Sequence, residues 1–314
     1  MLKLKHIALA LSLFGLMTAA APAEAAWPER PVTVISQGAP GSMMDLATRQ
    51  VAAMLTEELG QPFLVVNHSG NGGNMAVNAL LQAKKDGYTL CATGPHPFAY
   101  NLLTMKTRYK FEDLQPISLT ANSNMAIIAH PDSGWKNVHD AFAAAKAANR
   151  PLKVGVMDNL SRDIFALIAQ KEGVKLAPVP QKGGMPCLSA VMGKHVDLGL
   201  VGSIAVDNTK AGKVVTLASA STTRFPALPD VPTLQEQGYD AAASTDASFV
   251  WFTAAGVPDE VVDTVSNALI KLSTTPAYKK MQETLIIDPA VMGRAHAEAA
   301  MKAEHEGKKK LLGK

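Results

Sequence analysis

Short apolar strands alternate with amphipathic helices, and the loops between them carry Gly, Pro and small polar residues. That alternation predicts an α/β protein of two lobes facing each other across a cleft. Three observations carry the expectation. Val32–Leu59 reads as strand, tight turn and long helix; further βα units follow it directly; and the same rhythm restarts beyond residue 134. Such repetition predicts doubly wound parallel sheets, in which ligands sit beyond the carboxyl ends of the strands.

The first unit is the clearest. Val32, Val34 and Ile35 mark a buried strand, and Gly38-Ala39-Pro40-Gly41 a turn. Met44, Ala47, Val51, Met54, Leu55 and Leu59 then recur on one helical face, with Gly60 placed to end the helix. Backbone N–H groups and the helix dipole at such a turn suit an anion, and an ordinary βα turn that holds nothing has the same sequence. Phe63–Val66 is the next strand, followed by the loop Asn67–Asn74 and a helix through Val77, Leu80 and Leu81. Tyr88–Ala92 is a third strand, closed by Thr93-Gly94-Pro95.

Gln115–Thr120 and Met125–His130 read as strands, and here the chain is expected to cross into a second lobe. Val138–Ala148 is a helix and Leu152–Val156 a strand; the loop 157–161 leads to a helix through Ile164, Leu167 and Ile168. Strands follow at Lys175–Val179, Val196–Val201 and Val214–Ala220, with Leu188–Met192 inside a helix between the first two. The Pro-rich stretch Arg224–Thr233 reads as a linker. Ser248–Ala255 is strongly β-like, Pro258-Asp259-Glu260 opens a helix whose dipole the acids suit, and helices near Thr275 and over Ala295–Leu312 complete the chain. The expected lobes are therefore 27–125 with 225–314, and 126–224.

The N-terminus addresses the chain. Lys3 and Lys5 precede the apolar run Ile7–Met17, and Ala23-Glu24-Ala25 has the small-residue pattern of a cleavage site. Residues 1–26 thus read as a secretory signal peptide, too short in its apolar part to span a bilayer. Formal net charge is +3 for all 314 residues. That balance argues against nucleic acid or a membrane surface, and aromatic residues at 5% are too few for a base-stacking platform. Cys91 and Cys187 could pair in an oxidising compartment or stand as two buried thiols, and the reading favours free thiols.

No catalytic pattern stands out. Ser42 sits in a strand-to-helix turn but lacks the Gly-x-Ser-x-Gly context, no histidine comes with a partner pattern, and Gly38-x-x-Gly41 is not a dinucleotide fingerprint. No cluster has metal-ligand spacing, so no cofactor is expected. Gly-bearing loops from two lobes instead suggest a small-ligand cleft that hinges shut.

Ordered motifs then carry a resemblance. They are Trp27-Pro28-x-x-Pro31, Ala39-Pro40-Gly41-x-x-x-Asp45-x-x-x-Arg49, Leu59-Gly60-Gln61-Pro62, Asn71-Gly72-Gly73-Asn74 and Asp86-Gly87-Tyr88-Thr89-Leu90. Val179-Pro180-x-Lys182-Gly183, Val196-Asp197-Leu198 and Pro226–Thr233 continue the series. The chain resembles the Bug family, periplasmic substrate-binding proteins of tripartite tricarboxylate transporters. The resemblance implies a venus-flytrap fold of type II, no enzymatic activity, a small carboxylate ligand and delivery to membrane permease subunits by a monomer. A receptor or sensor kinase is the alternative partner. It also implies a site made of Ala39, Pro40, Gly41, Ser42, Met43 and Met44 with Thr93, Gly94 and His96 on lobe one. Lobe two would contribute Asp158, Asn159, Ser161 and Arg162 with Gly202 and Ser203.

The departures concern the ligand. Gly38 stands where the family usually has Phe and Ser42 where it has a second Gly; Met43 and Met44 make the cleft more apolar and adaptable. Arg162 facing the cleft would select a dicarboxylate, Asp158 facing it a ligand with an amine, and Arg162 paired with Asp158 or Asp163 neither.

Overall fold

A computed structural model describes residues 27–122, 124–245, 248–285, 287–290 and 292–314. The expected signal peptide lies outside them.

β1 (Val32–Ser36) buries nearly every side chain, as a strand covered on both faces must. It pairs in parallel with β2 (Phe63–Asn67) on one side and β3 (Thr89–Thr93) on the other. The turn after β1 leads into α1 (Met43–Leu59), which starts where the Ser42 hydroxyl accepts the Asp45 amide at 3.3 Å. It ends on Gly60, whose φ of 74° is the left-handed cap the sequence anticipated. Ala47, Val51 and Leu55 are its buried face. Next come α2 (Asn74–Gln82), a short α3 (Tyr100–Thr104) and β4 (Leu114–Ala121).

A link of four residues then carries the chain into a second sheet. There follow β5 (Ala126–Ala129), α4 (Val138–Ala147), β6 (Leu152–Val156), α5 (Asn159–Glu172), β7 (Leu176–Pro180), α6 (Gly184–Met192), β8 (Leu198–Val201), α7 (Ile204–Lys210) and β9 (Val215–Ser219). The return brings β10 (Phe249–Ala254), α8 (Asp259–Ser273), α9 (Pro276–Leu285) and α10 (Arg294–Leu311).

The sheets have the same plan, β2-β1-β3-β10-β4 and β7-β6-β8-β5-β9. Neither is fully parallel, which corrects the parallel-sheet expectation. β10 runs antiparallel to β3 and β4, and β5 antiparallel to β8 and β9. A parallel partner needs a crossover of a dozen residues or more. β5 follows the last strand of the other sheet almost at once, so it enters its own sheet from the opposite end.

The stretch after β9 has no long element but is firmly held. Arg224 pairs with Glu236 at 2.8 Å and donates to the Pro229 carbonyl at 2.9 Å. Phe225, Leu234, Tyr239 and Ala243 pack into the cores flanking the second sheet. The chain rejoins the first sheet at β10. α10 then spans both halves: Ala297 and Met301 lie in a core of the first sheet, while Leu311 and Leu312 pack against one of the second. Cys91 and Cys187 are free, buried thiols in separate sheets' cores. Burial pushes the Cys91 thiol well above its ordinary pKa and that of Cys187 to about 11, so neither is a nucleophile at neutral pH. Among the described residues, no helix is long and apolar enough to cross a membrane.

Candidate functional site

The carboxyl ends of β1 and β3 lie side by side, and the residues that follow them, Gln37 and Gly94, both line a cavity. Gln37 follows β1, with its backbone N–H on the Ala92 carbonyl at 3.0 Å. Gly73 makes room for its amide. A Cβ on Gly73, whose φ is +94°, would fall 2.3 Å from Gln37 Oε1, and one on Gly94 would lie 3.7 Å from Gln37 Nε2. Thr93 is buried behind this loop and donates its hydroxyl to the Gly94 carbonyl at 2.7 Å. Pro95 and His96 then open a short 3₁₀ turn.

From the second sheet, the end of β6 feeds α5. Asp158 caps that helix by accepting the Ser161 N–H at 2.8 Å, while the Ser161 hydroxyl accepts from Met157 N at 3.0 Å and Asp158 N at 3.1 Å. This reciprocal capping fixes the loop and aims Met157 and Leu160 across the cleft. Between the two loops lies a cavity of about 210 Å³. Gln37, Met44, Gly94, Pro95 and His96 form one wall; Met157, Asp158, Leu160, Ser161, Ile164 and Leu200 form the other. Met125, Thr245, Ser248 and Phe249, from the two crossings between sheets, form its back.

Polar groups in this cavity are left without protein partners. Gln37 Oε1 and His96 Nε2 are buried side-chain atoms with no hydrogen bond among the described residues. Such atoms are rare in folded proteins, which makes this cavity the candidate site. The nearest acid to His96 is Asp158, at 3.9 Å across the cleft. Burial pushes the His96 pKa below its ordinary 6.5; Asp158 and Glu304 pull it back in part, and Lys308 pushes it down. The ring is therefore neutral at pH 7 and serves as a hydrogen-bonding group, not as a charge.

Of the residues expected at the site, Met44, Gly94, His96, Asp158 and Ser161 line the cavity. Ala39, Pro40 and Gly41 are exposed instead, and Met43 packs into the first core. The Gly41 N–H donates to Asp45 Oδ2 at 2.9 Å, and the Ser42 hydroxyl is taken by the cap of α1. Asn159 is exposed, and Gly202 and Ser203 lie outside the lining at the start of α7. Arg162 also stands outside: its guanidinium donates to Asp163 at 3.0 and 3.2 Å, and Asp163 in turn accepts the Tyr100 hydroxyl at 2.7 Å. Gln37, just after β1 where a strand-end rule points, also lines the cavity and was not among the residues expected from the sequence. Sequence reasoning also missed the apolar lining of the second lobe and the residues at the crossings. Among the described residues, no group of three or more His, Cys, Asp or Glu could hold a metal ion.

The Asp45 and Arg49 of the turn motif have a structural task. Asp45, 2% exposed, accepts from Gly41 N, from Asn67 Nδ2 at 2.6 Å and from Arg49 at 3.0 Å. Burial raises its pKa, but these donors more than offset that and hold it below the ordinary 3.8. A depressed folded-state pKa means the contribution is complete above about pH 4 and disappears as pH falls through the folded value. We expect Asp45→Asn to cost roughly 1–3 kcal/mol at pH 7 in urea unfolding. The gap from the native protein should close in acid; a gap that stays constant down to acid unfolding would count against the network.

Two sheets of this plan, joined by two crossings, with a small cavity at the strand ends, define a bilobed α/β fold. Residues 47–313 match the model of the Tripartite tricarboxylate transporter family receptor, TctC, and the chain belongs to that family, whose members bind solutes and are not enzymes. A UPF0065 protein of Bordetella bronchiseptica is 30% identical over 277 residues, covering 87% of this chain and 82% of that protein. BugT of Bordetella pertussis is 31% identical over 245 residues, 73% of this chain and 74% of BugT. Among solved structures, a TctC solute-binding protein from Polaromonas superposes with a TM-score of 0.77 at 25% identity, over 91% of this chain and 99% of that one. An R. palustris protein solved with adipate gives 0.75 at 25% identity, over 91% and 97%.

Proposed function

We propose that this chain captures a small carboxylate in the periplasm and hands it to the permease subunits of a tripartite tricarboxylate transporter. The observation that carries the reading is a small cavity between two α/β halves, lined by His96, whose Nε2 has no partner among the described residues, and by Gln37, whose amide Nε2 lies beside the His96 ring and can donate to an acid. Family membership supplies the transporter, the expected signal peptide supplies the route to the periplasm, and the similar protein solved with adipate supports the ligand class. In this reading the halves close on the ligand as a monomer, with crossings near residue 125 and between β9 and β10. Tyr100–Asp163 and His96–Asp158 are contacts that closure brings together.

Thermal unfolding against a panel of mono-, di- and tricarboxylates tests it. A ligand that binds only the folded protein should add about 2.7 kcal/mol at a hundredfold excess over its Kd. Stabilisation by uncharged or cationic solutes, with none by any acid, would overturn the reading, as would turnover of a bound acid.

A further inference from the structure

Resting on the reading above of a cavity between halves that close, we propose that Tyr100 and Asp163 form a latch between the lobes. It draws them together before any ligand arrives and so sets how tightly the cavity holds one. Tyr100 opens α3, just beyond His96 in the first lobe, and Asp163 lies on α5, just beyond Asp158 in the second. The Tyr100 hydroxyl donates to Asp163 Oδ2 at 2.7 Å, while Arg162 donates to Oδ1 from Nε at 3.2 Å and from Nη2 at 3.0 Å. The guanidinium thus steadies the carboxylate by one oxygen and leaves the other for the tyrosine. Burial, and the carboxylate beside it, push the Tyr100 pKa well above its ordinary 10, so the hydroxyl stays a donor at neutral pH.

The ring reinforces the bond. Tyr100 is 5% exposed, and among the described residues it alone, of the chain ahead of the crossing near residue 125, belongs to an apolar cluster of the second sheet. Leu160 and Ile164 belong to the same cluster and line the cavity from the second lobe. The ring also meets the His96 imidazole at right angles, with centroids 6.5 Å apart. A side chain rooted in one lobe is therefore packed into the other, next to the loops that meet at the cavity. His96 and Asp158, 3.9 Å apart, span the same gap without a hydrogen bond. Neither Tyr100 nor Asp163 is part of the lining, so their contact forms whether or not a ligand is present. A contact made only in the closed form shifts the open–closed balance by its own free energy, and ligand affinity follows the closed fraction.

The distance between the lobes tests the latch directly. Met75 and Met185 are exposed in the first turns of α2 and α6, one on each lobe, and both native thiols are buried. Spin labels on Met75→Cys and Met185→Cys therefore report opening by pulsed electron double resonance, with no ligand needed. The unliganded protein should show a short-distance, closed component. Tyr100→Phe, which keeps the ring and removes the hydroxyl, should lower the closed-to-open ratio about threefold to tenfold. Asp163→Ala should act likewise, and the double variant should be no more open than the more open single, because both remove one bond. A distribution unchanged by Tyr100→Phe, or effects that add in the double variant, would overturn the latch. Adipate is the probe for affinity. It should shorten the distance in the native protein and leave Tyr100→Phe faster, with its association rate unchanged; a poorly folded variant would lose binding amplitude instead. Equal dissociation rates would overturn the latch's hold on affinity. If adipate and the other acids of the panel above leave every distribution unchanged, the carboxylate reading falls and the latch stands on the unliganded result.

Discussion

Trp251→Ala is expected to unfold the first lobe more readily than any other single truncation in the chain, at a cost of about 3–5 kcal/mol. β10 alternates its side chains between two cores. Phe249 and Trp251 enter the core under α1 and α8, while Val250, Phe252 and Ala254 enter the one on the opposite face of the sheet. Trp251 is 1% exposed and sits opposite Ala92 of β3 and Ser118 of β4, small neighbours that leave the space it fills. A sheet covered on both faces cannot collapse into the hole that alanine leaves, so the cavity cost adds to the lost transfer energy. Hydrogen exchange resolves the outcome by lobe. Amides of β1, β3, β4 and β10 should lose protection together while those of β6 and β8 keep theirs. A uniform loss over both sheets, or a cost below about 1.5 kcal/mol, would count against two separately packed cores.

The second large effect is expected at Lys308, a cation 2% exposed on the last helix. Its ammonium donates to the Ser244 carbonyl at 2.8 Å and lies 3.3 Å from Glu304 Oε1. α10 rests by its first half on the first sheet, whereas Ser244 follows the stretch packed on the second. The bond therefore ties the helix to the crossing between lobes. Lys308→Ala leaves Glu304 without its partner and the Ser244 carbonyl without its donor; the expected loss is roughly 2–4 kcal/mol, below the full value for a buried pair because Glu304 is itself partly solvated. Combining Lys308→Met with Glu304→Gln removes both charges and keeps the volume, and should recover most of that loss. If the single variant unfolds within about 1 kcal/mol of the native protein, or the double is worse than the single, the buried pair does not hold this junction.

The alternation of strands and helices was legible because periodicity is a local property. Gly60 ends α1 as its position indicated, and Leu152–Val156 is a strand over the residues read from the sequence. Two helices escaped notice. Tyr100–Thr104 and Ile204–Lys210 span five and seven residues, too few for a helical stripe to declare itself, and tertiary contacts hold them. The direction of β5 and β10 was likewise out of reach, since a strand's polarity depends on which neighbour it pairs with and not on its own residues. The loops after β3 and β6, chosen from the sequence, both line the cavity, but Gln37 after β1 and Leu160 on α5, which also line it, were not among the residues expected there.

The sequence by itself determined that this is an α/β protein with two successive βα series and the ordered motifs of its family, because each of these is written in neighbouring residues. Only the tertiary structure decided which of the loop residues face the cavity. The Ala39–Gly41 turn looked like an anion site until Asp45, fixed by Asn67 from the adjacent strand, took the Gly41 N–H for itself. Of the alternatives the sequence left for Arg162, the pairing with Asp163, itself held by Tyr100 of the other lobe, is the one found. Gln37 carried no motif and lines the cavity with its amide packed against Gly73, where a Cβ would fall 2.3 Å from its Oε1. In each case a polar group is committed by its nearest partner in space, and that partner lies too far along the chain for spacing to reveal it.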